Sequence, residues 1–182
     1  MAHKQQQDYC LQIAAAWPEH FRFKKVLDVG SLDINGSNKG LFLNCDYTGL
    51  DIAAGKNVDI VSRCHEFLIP SATFDTIIST ECFEHDMFYD KSLANIVRIL
   101  KPGGFFIFTC ATVGRPEHGT PRTSPTDSPF TSKTPSWAAY YKNLEESDIR
   151  AAIPVDEIFS EYKFDVSHEV HDLRFYGIKK EN

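Results

Sequence analysis

Val26-Leu27-Asp28-Val29-Gly30, running on into Ser31-Leu32-Asp33-Ile34-Asn35-Gly36, joins a short apolar run to a glycine and then to a polar segment. Aliphatic residues at three of the first five positions predict a buried strand, and the glycine behind them predicts a tight turn or a close backbone approach to a ligand. The pattern is not GxGxxG: Leu32 stands where a nucleotide-binding glycine often lies. By itself the stretch also suits a purely structural turn, so its meaning depends on the residues further along the chain.

Downstream, short apolar runs recur at 47–50, 58–61, 74–79 and 105–110. Between the last two, residues 91–100 place Leu93, Ile96, Val97 and Leu100 on one helical face, and Pro102-Gly103-Gly104 ends that helix. Near-continuous apolar strands separated by helical segments predict an α/β fold with a mostly parallel sheet covered on both faces. An N-terminal helix over 4–17, stopped by Pro18, is expected to pack over one edge. A short helix is read at 145–153, and two strand-like runs at 159–170 and 173–178 have no helix between them, which predicts an antiparallel pair at the sheet edge. Residues 111–135 are rich in Pro, Ser, Thr and Gly, and a loop this long in a small domain is either functional or disordered. It follows a strand and should leave at the carboxyl edge, where open α/β sheets bind ligands.

Composition narrows the functions. The chain has 182 residues, which fits one domain over 1–182 and leaves little room for a separate substrate domain. Its formal net charge is −6, and no Lys/Arg run exceeds a pair, which argues against a nucleic-acid partner. Five cysteines with no CxxC spacing argue for reduced thiols rather than a disulfide framework or zinc knuckle. The polar start MAHKQQQDYC and the lack of a long apolar stretch predict a cytoplasmic protein with no membrane partner. No HxH, HExxH or carboxylate cluster stands in the sequence, so no metal site is expected.

Three further motifs give the first stretch its meaning. Gly49-Leu50-Asp51 sets an acid at a strand end about 20 residues after Gly30, where a carboxylate accepts hydrogen bonds from ribose hydroxyls. The others are 74–85, FDTIISTECFEH, and 99–106, ILKPGGFF. In order and at this spacing, the four motifs resemble the class I S-adenosylmethionine-dependent methyltransferases, in particular the type 11 branch with its E-x-x-E-H and LKPGG signatures. The resemblance covers about 26–109. It implies a single-domain Rossmann-like fold with S-adenosylmethionine as cofactor. It also implies that Asp28, Gly30 and Ser31 face the methionyl part, that Asp51 holds the ribose with Ile52 against the adenine, and that Thr80 and Glu81 line the methyl side. Where relatives carry an acid for the adenine amine, this chain has Arg63, so that contact passes to backbone groups of Cys64 or His65.

The segment 114–120, GRPEHGT, together with 30–36, further resembles stand-alone methyltransferases of bacterial surface-polysaccharide clusters, which act on sugars or small phosphorylated groups, phosphoramidates included. That implies O-methylation of a small or saccharide-linked acceptor, with His118 as proton acceptor and Arg115 as anion clamp. His85 and His65 are the alternative bases, and Tyr140-Tyr141 either closes over substrate or packs in the core. N-methylation of a small amine and a non-catalytic S-adenosylmethionine-binding module are the competing readings. A dinucleotide dehydrogenase is disfavoured by the absent GxGxxG. The sequence leaves the oligomeric state open.

Overall fold

The computed structural model describes residues 3–181. Seven strands form one sheet in the order β3-β2-β1-β4-β5-β7-β6. They are β1 (Lys25–Val29), β2 (Asp46–Asp51), β3 (Ile60–Val61), β4 (Phe74–Thr80), β5 (Leu100–Ala111), β6 (Phe159–Ser167) and β7 (Asp172–Lys179). The first five are parallel, while β7 runs antiparallel to both β5 and β6. The antiparallel pair expected near the C-terminus is therefore present at the edge.

Strand alternation sorts the core into two layers, because successive side chains point to opposite faces. Val26, Ile78, Phe105 and Ile107 point to one face, against Tyr9 and Cys10 of α1 (Lys4–Ala16). Leu27, Ile77, Phe106 and Phe108 point to the other, against Leu93, Ile96 and Ile99 of α2 (Tyr89–Ile99) and Ile149 of α3 (Glu146–Ala152). The expected N-terminal helix thus covers the middle of a sheet face rather than an edge. A one-turn helix, α4 (Val155–Ile158), precedes β6. Between β1 and β2 the chain has only a 3₁₀ turn, Asn38–Leu41, in place of an α-helix.

The Lys101-Pro102-Gly103-Gly104 turn does more than stop α2. Strand β5 begins already at Leu100, directly after the helix, so the reversal is very tight. Gly103 has φ +68°, and a Cβ on Gly104 would lie 2.8 Å from the Lys101 carbonyl oxygen and 3.0 Å from that of Asp75. Asp75 braces the turn: its carboxylate pairs with Lys101 Nζ at 2.7 Å and accepts the Lys25 N–H at 2.8 Å. The Phe-Asp start of β4 and the Lys-Pro-Gly-Gly start of β5 are thus two halves of one contact.

All five cysteines are free. Among the described residues no helix is long and apolar enough to cross a membrane.

The wall of β2 at the carboxyl edge depends on Gly49. Its N–H donates to Asp59 Oδ2 at 2.8 Å, and a Cβ there would fall 1.9 Å from the Asn57 carbonyl oxygen. Gly49→Ala should therefore lower unfolding free energy by about 1–3 kcal/mol, the usual cost of forced overpacking. Urea denaturation measures it; a wild-type midpoint would mean the 55–59 loop yields freely.

Candidate functional site

The chain order reverses at β1: β2 lies on one side and β4 on the other. Open α/β sheets bind ligands in the crevice at the carboxyl ends of such strands. A cleft open to solvent lies here. Its lining includes Asp28, Gly30, Ser31, Asp51, Ile52, Cys64, Thr80 and Glu81, so eight of the nine residues expected to hold a cofactor meet around one space. The ninth, His65, is not part of the lining. Its ring packs against Phe88, 4.4 Å between centroids, and faces Trp137 at 6.4 Å. The short 3₁₀ turn Cys64–Glu66 puts Cys64 in the cleft lining and turns the His65 imidazole onto the aromatic wall.

Each wall has a local cause. Gly30 turns with φ +78°, and a Cβ there would meet Cys82 Sγ at 2.6 Å, so only glycine lets the β1 turn lie against the β4 turn. Its N–H and that of Ser31 donate to the Leu50 carbonyl at 2.9 and 3.2 Å. Asp51 accepts the Leu32 N–H at 3.0 Å and the Ile52 N–H at 2.7 Å, one on each carboxylate oxygen. These two bonds fix the carboxylate and leave a further lone pair on each oxygen for a ligand. Ser31 Oγ is buried without a partner. At the end of β4, Glu81 adopts φ +52°, a backbone state that costs a non-glycine residue energy and often marks a functional turn.

The 111–135 loop crosses the mouth. Asp127, Ser128, Pro129, Phe130 and Thr131 line the cleft, joined by Trp137 just beyond the expected boundary. Phe130 leans on Gly55, where a Cβ would meet its ring at 3.0 Å. Phe130 and Trp137 are the residues that sequence reading missed, since an aromatic in an aperiodic segment carries no pattern.

The two residues expected to face the acceptor do not line the cleft. Arg115 is consumed: its guanidinium donates to the Val170 carbonyl at 2.5 Å and Asp172 Oδ1 at 3.0 Å, and stands 3.7 Å from Glu81. Its role as an anion clamp is corrected accordingly, because buried Asp172 and Glu81 already neutralise it. His3 completes this group, 3.0 Å from Asp172 and 3.7 Å from Glu81. Burial works against the His3 charge, but the two carboxylates outweigh it and push its pKa up to about 9. Burial likewise opposes the Glu81 charge, yet His3 and Arg115 hold its pKa down to about 2.

His118 lies one layer behind the cleft. Its ring meets His85 at 5.0 Å and Tyr141 at 5.1 Å, edge to face, and Nδ1 lies 3.2 Å from the Pro116 carbonyl oxygen. His85 is the imidazole that does reach the lining. Burial first, and then the neighbouring His118, push the His85 pKa down to about 3, so its ring is neutral.

The methyltransferase-domain family model matches residues 1–138. No curated protein matches the chain. Among solved structures, a similar one is Burkholderia thailandensis 1,6-didemethyltoxoflavin-N1-methyltransferase with bound 1,6-didemethyltoxoflavin and S-adenosylhomocysteine: TM-score 0.65 and 16% identity over 96% of this chain and 78% of that one. The N-methyltransferase NodS from Bradyrhizobium japonicum WM9 gives 0.60 and 14%, over 97% and 96%. Haemonchus contortus phosphoethanolamine N-methyltransferase 2, in complex with phosphomonomethylethanolamine and S-adenosylhomocysteine, gives 0.62 and 15%, over 96% of this chain and 53% of that one. At these identities the likeness establishes the shared fold.

Asp28 gives this cleft a pH signature. Burial pushes its carboxyl up to about 7; the Tyr47 hydroxyl, donating to it at 2.5 Å, and Lys39 oppose the rise, and Asp51 adds to it. The unfolded carboxyl titrates near 3.9. A raised folded pKa means that the stability of the neutral form is fully present below about pH 4 and is lost as pH rises through about 7. Asp28→Asn stays neutral and can still accept from Tyr47. Its unfolding free energy relative to wild type should therefore increase between about pH 4 and pH 8. Urea melts of the ligand-free proteins across that range check this; a pH-independent difference would refute it.

Proposed function

The chain belongs to the methyltransferase-domain family, and from that premise we propose that it is a class I enzyme that moves the methyl group of S-adenosylmethionine to an oxygen of a small acceptor, using the carboxyl-edge cleft as its donor site. In this reading residues 1–182 form one methyltransferase domain, and 111–135 is its substrate-side loop. The observation that carries it is the Asp51 carboxylate, held by the Leu32 and Ile52 amides at the end of β2, across the cleft from the Gly30 turn.

The residues present fit the donor. The Gly30 turn has no room for a Cβ, Ser31 Oγ is buried without a partner, and Asp51 retains acceptor capacity for a ribose diol. Asp28 and Ser31 would hold the amino-acid end, Asp51 the ribose, and Ile52, Cys64 and Phe130 the adenine. When bound, S-adenosylmethionine supplies an already activated methyl group, so the protein's task is to position the acceptor and exclude water. The 127–131 segment and Trp137 cover the mouth, which serves that exclusion. Thr80, Glu81 and Cys82 border the methyl side, and His85 presents its imidazole there.

The acceptor in this reading is a small hydroxyl compound, sugar-linked or phosphorylated. The His85 imidazole lines the cleft there and can orient such a hydroxyl by a hydrogen bond. N-methylation of a small amine is the second reading. It draws on the Glu81 carboxylate in the cleft and on the N-methyltransferase activity named for the three similar folds.

Calorimetric titration should show S-adenosylhomocysteine binding to the wild-type chain and no heat from NAD. Asp51→Ala should weaken that binding by about 1.5–3 kcal/mol, the worth of hydrogen bonds to a charged group. The variant should stay folded, since Asp51 lies at a strand end outside both core layers. Normal affinity in Asp51→Ala would remove the ribose assignment.

A further inference from the structure

Glu84 and His85 close the 3₁₀ turn after β4, and the 114–119 segment carries His118 back over them. One ligand atom from each of the three lies within 4.8 Å of the others. Glu84 is fully buried and His85 is 4% exposed, while the His118 side chain is 12% exposed. Both Glu84 oxygens, both His85 nitrogens and His118 Nε2 are buried without any hydrogen-bond partner.

That arrangement leaves buried polar atoms unsatisfied. His118 Nδ1 faces the Pro116 carbonyl at 3.2 Å, an acceptor, so Nδ1 carries the hydrogen and Nε2 presents a lone pair. Nε2 stands 4.0 Å from Glu84 Oε1, too far for a hydrogen bond. The three side chains bring the lone pairs of two imidazoles and a carboxyl group to one point, and no group outside the cluster hydrogen-bonds to these atoms; a cation would satisfy them. The carbonyl behind His118 is the usual outer-shell partner that fixes a ligating imidazole's tautomer. Gly119 holds the loop in place: its φ is +70°, and a Cβ would lie 2.6 Å from His85 Cε1. Among the described residues the other close cluster of possible ligands is His3–Glu81–Asp172, whose two carboxylates already stand in ion pairs with His3 and Arg115.

We propose that Glu84, His85 and His118 bind a divalent transition-metal ion beside the methyl-donor cleft. Two imidazoles and one carboxylate suit zinc or another first-row ion better than magnesium, which prefers oxygen. Three protein ligands leave a position open, and because His85 lines the cleft, that position faces the acceptor side. Resting on the donor reading above, the ion would take the acceptor hydroxyl as its next ligand and lower that group's pKa. The hydroxyl proton then passes to water. The oxygen lone pair forms the new O–C bond as the pair of the breaking S–C bond returns to sulfur, giving S-adenosylhomocysteine and a methyl ether. This explains why His118 lies behind the cleft: it acts on the acceptor through the ion.

Metal binding is testable without an acceptor. After dialysis against EDTA, the full chain is equilibrated with Zn²⁺ and its metal content measured, and Co²⁺ is added separately to read its visible d–d bands. The wild type should take up about one Zn²⁺ per chain, show Co²⁺ bands of a nitrogen- and oxygen-ligated site, and melt at a higher temperature with Zn²⁺ present. Glu84→Gln and His118→Gln should each lose about 100-fold or more in Zn²⁺ affinity. Their S-adenosylhomocysteine affinity should stay near that of wild type, which also shows that they fold. Zn²⁺ binding as tight as wild type in a chain carrying both Glu84→Gln and His118→Gln, or a wild type with neither stoichiometric Zn²⁺ nor Co²⁺ bands, would overturn the site. Loss of S-adenosylhomocysteine binding by the wild type would instead overturn the donor reading and leave the metal result standing.

Discussion

At β1 the sheet turns both ways at once: β2 and β3 build outward on one side, β4 and β5 on the other. The loops leaving the carboxyl ends of β1 and β4 therefore diverge, and a gap must open between them. Everything described at the site depends on that gap. It is kept narrow by backbone approaches that a side chain would block, Gly30 against Cys82 and Gly49 against the Asn57 carbonyl. The LKPGG turn at the opposite edge serves the same end at a distance, since it sets the register of β5 against β4.

Electrostatics divide the cleft into parts. Asp28 and Asp51 lie on the β1–β2 side, where burial raises both carboxyls and hydrogen bonds from Tyr47 and from the Leu32 and Ile52 amides restrain the rise. Glu81, on the β4 side, is held ionised by His3 and Arg115. Glu84 has no such counter-charge: burial first, and Glu81 beside it, push its carboxyl up to about 8. Adjacent carboxylates thus sit in opposite surroundings, one compensated by residues far away in sequence and one not.

That contrast also marks what the sequence made legible. The strands, their mostly parallel arrangement and the antiparallel pair near the C-terminus come from local pattern, apolar runs, helical spacing and strand-end glycines, whereas most of the cofactor wall is implied by the family resemblance that the four motifs carry. Arg115 and His118 were visible as residue types, but their partners were not. Asp172 and His3 come from opposite ends of the chain, and neither sits in a motif. The direction of the His65 ring was hidden for a related reason, since a three-residue turn decides which of two neighbouring side chains faces the cleft. The Glu84–His85–His118 group escaped because its last two members are 33 residues apart and no spacing rule joins them. Only the return of the 114–119 segment over the β4 turn brings them together.

The most direct test of the central claim is a crystal structure of the chain with S-adenosylhomocysteine. The account places its ribose hydroxyls on the Asp51 carboxylate, its amino-acid end along the Gly30 turn, and its sulfur on the side of the cleft where His85 stands. A ligand bound away from Asp51, or with its sulfur directed toward Ile52 and Phe130, would contradict it.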